Sequence, residues 1–292
     1  MDLITGNNFN EVYRDILLEI KSNGELEGKT RDITELIFRL DDPTKYQLFH
    51  KKNWMWAYVE LVDRFSGANP GTAFNYRPAW KRKLEKEDGK FHYAYGPMWV
   101  EQIDFIVKQL RSQKTSREAI MNLWDKRYLI YQKDFNRRPC TLTYHFYIRN
   151  KKLNLSVNMR SNDVINLLPY DVLHNCILLQ YIASSLGVDL GYYFHHSSHA
   201  YWPKKREREG RGYIEELIQK IEYNKKYHDL TTTSLEDIDE VKTLCNNWKL
   251  GINDLNGYKD NFIKNWARLI FNYKNKSKLP LDNHLKYLQE LK

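Results

Sequence analysis

Residues 138–201 read RPCTLTYHFYIRNKKLNLSVNMRSNDVINLLPYDVLHNCILLQYIASSLGVDLGYYFHHSSHAY, and this stretch decides the fold. Residues 141–148 mix β-branched and aromatic side chains, the composition of a strand. Asn150-Lys151-Lys152 supplies a turn, and residues 153–159 alternate apolar with polar, so the two runs predict a hairpin. Pro139 has no N–H to give a ladder, which sets Cys140 at the beginning of the first strand. Residues 163–186 form an almost continuous apolar body and predict a long buried helix. A further strand follows, carrying His195, His196 and His199.

Two features of this stretch carry chemistry. A thiol at a strand end can face a cleft, and Arg137, Arg138 and Arg160 would favour its thiolate. The competing reading of Cys140 is an inert core cysteine, the commoner fate of a free thiol. The spacing His-His-x-x-His suggests metal, since His195 and His199 would share one face of a strand. A metal site needs a third converging ligand and supporting hydrogen bonds. The sequence offers no partner cluster, and no metal is expected.

Outward from there, the 292 residues fit one large domain or one plus a small appendage. A hydrophobic content of 42% is enough for a core. The first residues lack the basic-then-apolar pattern of a signal peptide, and no run is apolar enough to cross a membrane. Cys140, Cys176 and Cys245 have no paired spacing, which predicts the reducing cytoplasm. There is no internal repeat. The net charge of +9 suits nucleic acid, and equally an enzyme whose substrate is a phosphate monoester.

Four motifs in register carry a resemblance. Pro139-Cys140, Arg160-Ser161-Asn162-Asp163, Leu168-Pro169-Tyr170-Asp171 and His199-Ala200-Tyr201 follow the order of the thymidylate synthase family, at nearly its spacing. The likeness covers roughly residues 10–225. It implies an α/β (α+β) fold, with a large bent mixed sheet flanked by helices, and a homodimer joined sheet to sheet. Periodicity alone gives only an α+β domain. On this reading residues 1–225 are the catalytic domain and 226–292 a helical extension packed on it. Within that extension, 234–248, 258–273 and 283–291 read as helices. No match to the short apolar tail with which the family closes over folate is recognised within 226–292.

The most informative departure is Asp171, where the family reads its pyrimidine with an Asn. An amide donates and accepts, matching the O4 and N3–H edge of uracil, whereas an ionised carboxylate only accepts. It suits the N4 amino group of cytosine, and N3 when that nitrogen is protonated. A buried reader fitted to one edge leaves polar groups unpaired against the other. In this respect the chain resembles the deoxycytidylate hydroxymethylases. The alternative is that Asp171 simply N-caps a helix over 172–186.

The resemblance distributes further roles. Residues 9–20 predict a helix capped by Asn10, and 33–38 a strand. Lys29 or Arg31 stands in for the family's phosphate-gripping arginine. Residues 53–65 predict a helix on which Glu60, followed by Ser66-Gly67, takes the place of the catalytic glutamate that orders water and relays protons. Partial burial would suit it to acid–base work. Trp80 is a candidate aromatic wall for folate. The charged run 81–90 reads as a solvated insertion. Tyr95-Gly96-Pro97-Met98-Trp99 resembles a Tyr-Gly-x-x-Trp whose tyrosine helps move a proton from C5. Residues 100–113 predict a helix and 121–124 a strand. Ser116-Arg117 matches a site whose arginines reach the partner subunit's substrate phosphate, although the second arginine is Glu118 here. Arg160 and Ser161 complete the phosphate contacts. Asp163 falls on a folate-contacting aspartate, with helix capping as its plain alternative. His199 and Tyr201 fall on the binders of the sugar 3′ hydroxyl.

The implied chemistry starts with the Cys140 thiolate adding to C6 of a pyrimidine nucleoside monophosphate, which makes C5 nucleophilic. C5 then takes a one-carbon unit from 5,10-methylenetetrahydrofolate, and water or hydride completes a hydroxymethyl or methyl group. The expected substrate is dCMP. A thymidylate synthase acting on dUMP, and a methylase or hydroxymethylase of CMP, are the enzymatic alternatives. A nucleic-acid binder would show steep salt dependence and would not need Cys140, Glu60, Arg160 and His199 together.

Overall fold

The chain is seen in a computed structural model, which describes residues 2–46, 54–76, 81–82, 84–126, 138–204, 213–223, 235, 237–277 and 279. The elements run β1 (Ile4–Gly6), α1 (Phe9–Asn23), β2 (Glu25–Glu27), β3 (Thr30–Leu40), α2 (Trp54–Ser66), a 3-10 segment (Thr72–Tyr76) and α3 (Tyr95–Ser112). Then come β4 (Ile120–Asn122), β5 (Thr141–Arg149), β6 (Lys152–Met159), β7 (Asn162–Asp163), α4 (Leu168–Leu186), β8 (Asp189–Pro203), α5 (Tyr213–Tyr223), α6 (Ile238–Leu250) and α7 (Asn261–Asn275). The strands form one mixed sheet in the order β1-β3-β8-β6-β5-β4, with β2 on β3 and β7 on β8. Helices flank this bent sheet.

The predicted hairpin is β5–β6. Arg149 pairs with Lys152 across Asn150 and Lys151, whose φ angles of 52° and 64° give the left-handed two-residue turn that matches strand twist. The sheet is irregular at several places, among them a one-residue shift between Thr141 and Thr143 in the β5–β6 ladder. Between Leu153 and Leu155 the β6–β8 register shifts by one. There the Asn154 amide bonds Tyr147 O and Lys152 O and accepts from Tyr192 N, and a Cβ at Gly191 would collide with it. A further irregularity lies at Glu35, φ 56°, between the pairs Thr34–His199 and Leu36–Ser197 of the β3–β8 ladder. Across it the inward positions of β8 pass from Tyr193, His195 and Ser197 to Ala200 and Trp202.

That change of phase overturns the shared face expected for His195 and His199. His195 is fully buried, stacked on Phe38 and bonded through Nδ1 to Tyr193 OH at 2.7 Å. Burial pushes its imidazole down to about 3. His199 is exposed and faces Asp32, while His196 pairs with Glu35. Among the described residues no group of three His, Cys, Asp or Glu could hold a metal.

Buried apolar side chains of α4 pack on the inner face of the sheet, alongside α1 and α3. Helix α4 begins at Leu168 rather than 163, because Asp163 makes a turn of its own: Oδ1 accepts from the N–H groups of Ile165 (3.1 Å) and Asn166 (2.9 Å). Its N-cap is Leu167, with no side-chain bond. A missing cap costs ~1 kcal/mol, which a single buried Leu or Ile outweighs at ~1.5–3 kcal/mol. Helix α1 is capped by Asn8, which accepts from Glu11 N, not by Asn10, which lies buried inside the helix.

Helices α6 and α7, near two of the predicted C-terminal helices, pack against α2. Trp266 Nε1 donates to Tyr58 O at 2.8 Å, and Trp248 Nε1 to Asp63 Oδ1 at 3.2 Å. The predicted helix 283–291 lies outside the described residues. No helix among the described residues is long and apolar enough to cross a membrane.

Candidate active site

The start of β5, the end of β6, the first turn of α4 and facing parts of α2 and α3 line one cavity. Cys140, Glu60, Arg64, Tyr95, Ser161 and Asp171 all line it. Cys140 stands at the last rung of the β5–β6 ladder, where its carbonyl accepts from Arg160 N at 2.9 Å. The Arg160 guanidinium then folds back over the strand end. Nε donates to Pro139 O (3.0 Å), and Nη2 donates to Arg138 O (3.2 Å) and lies 3.8 Å from Cys140 Sγ. The expectation of a favoured thiolate holds only in part. Burial pushes the thiol up, Arg160 opposes it, and the net shift is upward. Arg137 lies outside the described residues.

Asp171 is not the cap of α4. It sits in the first turn and is the one residue between Leu168 and Ala183 of intermediate exposure, and it lines the cavity. Its Oδ2 accepts from Asn162 Nδ2 at 3.3 Å. Burial pushes its carboxyl up to about 7 despite the opposing field of Arg64. Asn162 is 2% exposed, and its Oδ1 has no partner among the described residues. In the sequence it occupies the variable place of Arg-Ser-x-Asp, which carries no signal of its own.

Glu60 and Arg64 form a buried pair one helical turn apart on α2, Nη2 to Oε1 at 2.8 Å. The guanidinium lies over the Tyr95 ring at 4.5 Å and near Trp99 at 5.3 Å. The Tyr95 hydroxyl in turn accepts from the backbone N–H of Cys140 at 3.2 Å. A third carboxylate, Asp63, accepts from Ala73 N at 2.8 Å and from Trp248 Nε1, and burial pushes it up to about 7. Spacing along a helix could have pointed to Arg64. Nothing in the sequence ties Asp63 to Ala73 or Trp248.

The opposite wall is aromatic. Trp56 meets Tyr170 (5.2 Å) and Phe74 (6.0 Å), and Phe74 meets Phe91 edge-on (5.3 Å). The run 81–90 is therefore more than a solvated insertion: Leu84 within it and Phe91 just after it are buried and line the cavity, while the charged residues between them point outward. Trp80, the aromatic singled out from the sequence, lies outside the described residues.

The remaining candidates fall at two places. Asp163 is 8% exposed, with both carboxyl oxygens bonded: Oδ1 to backbone N–H groups, Oδ2 to the Asn166 amide. Tyr201 is its parallel partner across β7–β8, and burial pushes the Tyr201 hydroxyl up to about 12. Lys29 is exposed in the β2–β3 turn at the same end of the sheet, its carbonyl accepting from Lys204 N. Arg31 is turned away, its Nη1 donating to Gly24 O. His199 precedes Tyr201 on β8. Arg117 is not brought to this cavity. It lines a separate basic groove with Lys114, Arg149 and Lys151.

A thiol at a strand end, set in one cavity with separately held carboxylates and an aromatic wall, is an arrangement able to carry covalent addition to a flat polar ring. A family model described as thymidylate synthase matches residues 11–259. A relative from Methanocaldococcus jannaschii is 30% identical over 198 residues, covering 66% of this chain and 86% of its own. The thymidylate synthase of Bacillus mojavensis is 30% identical over 215 residues, 63% of this chain and 76% of that one. That of Bacillus phage phi3T is 31% identical over 125 residues, 39% and 42% of the two chains. The chain belongs to the thymidylate synthase family, whose enzymes transfer a one-carbon unit from methylenetetrahydrofolate to C5 of a pyrimidine nucleotide.

Proposed function

We propose that this chain converts dCMP to 5-hydroxymethyl-dCMP. The observation that carries the reading is Asp171: a carboxyl in the cavity of Cys140, free of capping duty and titrating near neutrality. Cytosine presents an N3 acceptor beside an N4 donor. A protonated carboxyl donates to the first and accepts from the second. Asn162, bonded to Asp171, fixes the plane of that carboxyl.

On this reading Cys140 adds to C6, and Arg160 stabilises its thiolate at the moment of attack. Tyr95, tethered to the Cys140 backbone, takes part in proton transfer from C5. Glu60 orders the water that completes the hydroxymethyl group. Arg160, Ser161 and Lys29 bind the phosphate, with Arg117 of a second subunit, and His199 and Tyr201 hold the sugar. The aromatic wall fits a flat pterin, and methylenetetrahydrofolate bound there would supply the one-carbon unit at the formaldehyde level. Trp80 and Asp163 are further folate contacts by resemblance, though Asp163's oxygens are already engaged. A homodimer in the cytoplasm, residues 1–225 as the catalytic domain and 226–292 as its extension complete the proposal.

A second reading, thymidylate synthesis from dUMP, draws on the names of the relatives, and on the ability of a protonated Asp171 to pair with uracil as well. Tritium release from [5-³H]dCMP and [5-³H]dUMP, with and without methylenetetrahydrofolate and with the product weighed, separates the two. Folate-dependent release from dCMP with a hydroxymethyl product is the expected result. A methyl product changes only the last step. Release from dUMP alone overturns the reading.

A further inference from the structure

Three carboxylates, Glu60, Asp63 and Asp171, line one cavity, and of these only Glu60 has a charged partner among the described bonds. That partner, Arg64, is itself 5% exposed, so both charges are held away from bulk water. The Arg64 Nε has no partner among the described residues. The guanidinium bonds the Glu60 carboxylate at 2.8 Å and stands over the Tyr95 ring at 4.5 Å. It therefore touches both groups to which the C5 chemistry is assigned above.

We propose that Arg64 is a positioning residue of the reaction: it fixes Glu60 as the ionised member of the cavity's carboxylates and holds the Tyr95 ring against the strand end that carries Cys140. This rests on the reading that the cavity acts at C5 of a pyrimidine nucleotide. Two carboxyls facing one base are useful only when they differ, one accepting protons from water and one carrying a proton to the base edge. Arg64 makes them differ by distance. It contacts Glu60 directly, but reaches Asp171 only through its field, while Asp171's own bond is to a neutral amide. The other titratable groups around the pair do not supply this asymmetry. Tyr144 of β5 and Tyr95 of α3 are both raised by burial, and His174 of α4 is pushed down to about 3. At neutral pH all three are uncharged, and Arg160 stands on the Cys140 side. Among the described residues that line the cavity, Arg64 is the cation on the Glu60 side.

The test compares wild type, Arg64→Lys, Arg64→Met and the Glu60→Gln/Arg64→Met double variant. Removing one partner of a buried pair is strongly destabilising. The double variant removes both charges, and Arg64→Lys keeps the charge while losing the planar contact with Tyr95. Melting curves accompany the kinetics of tritium release from both nucleotides. The expected result for Arg64→Lys is a kcat reduced by roughly 10- to 100-fold with little change in nucleotide KM. In Arg64→Met the acidic limb of the kcat profile moves up by about one pH unit or more, because a counter-charge is gone. In the double variant that limb is lost. If Arg64→Lys and any other folded variant keep the wild-type kcat and pH profile, the role is overturned. If the wild type releases tritium from neither nucleotide, the underlying reading falls, and this inference with it.

Discussion

Replacing Asp171 with Asn tests both the base preference and the energetics of its burial. The substitution keeps shape and volume but exchanges a titrating carboxyl for an amide suited to the uracil edge. An unpaired buried polar group costs ~1–3 kcal/mol: the ionised form of Asp171 cannot donate and leaves uracil O4 unpaired, whereas the amide of the variant always supplies that donor. Above the carboxyl's folded value of about 7 the ratio of kcat/KM for dCMP over dUMP should therefore fall by roughly 10- to 100-fold. Stability moves as well. Asp171 is raised from 3.8 to about 7, so the folded chain holds this proton more tightly than the unfolded one. Its contribution to stability is full below the unfolded value and is lost as pH rises through about 7. Above that, the native state carries a cost of up to ~4 kcal/mol, at 1.36 kcal/mol per unit, reduced by whatever water enters the cavity. Asp171→Asn removes this cost. Urea denaturation should find the variant gaining on wild type between pH 5 and pH 8, and tritium release should find its preference inverted. An unchanged dCMP:dUMP ratio would refute the base-reading argument. A stability difference that does not grow with pH would refute the burial argument.

Further predictions follow from the same geometry. Cys140→Ser should abolish tritium release while nucleotide binding persists by calorimetry. Since burial raises the Cys140 thiol, alkylation by iodoacetamide should accelerate at higher pH than for a free cysteine. Trp248→Phe removes a donor to Asp63 and should cost ~1 kcal/mol in urea unfolding; unchanged stability would mean that bond contributes nothing. Gly191→Ala places a Cβ on the Asn154 amide at the β6–β8 register shift and should destabilise by ~1–3 kcal/mol, read from the unfolding midpoint.

Much of the fold was legible because its signals are local. The β5–β6 hairpin shows in strand composition and in a two-residue turn. Helix α4 shows in its length and apolar run. Cys140, Glu60, Tyr95 and Asp171 were legible through motif order alone, and the fold brings all four to one cavity. What the sequence could not supply was phase and company. Whether Asp171 caps a helix or faces a cavity depends on where α4 starts, and the bonds made by Asp163 decide that. Whether His195 and His199 share a face depends on one left-handed residue, Glu35, on a neighbouring strand. The balance at Cys140 turns on burial, which is a property of the packed core. Sequence thus determined which residue types were present and in what order. The tertiary structure decided which of them meet, because burial, register and hydrogen-bond partners are set by segments far apart in the chain, as when Trp248 of α6 reaches Asp63 of α2.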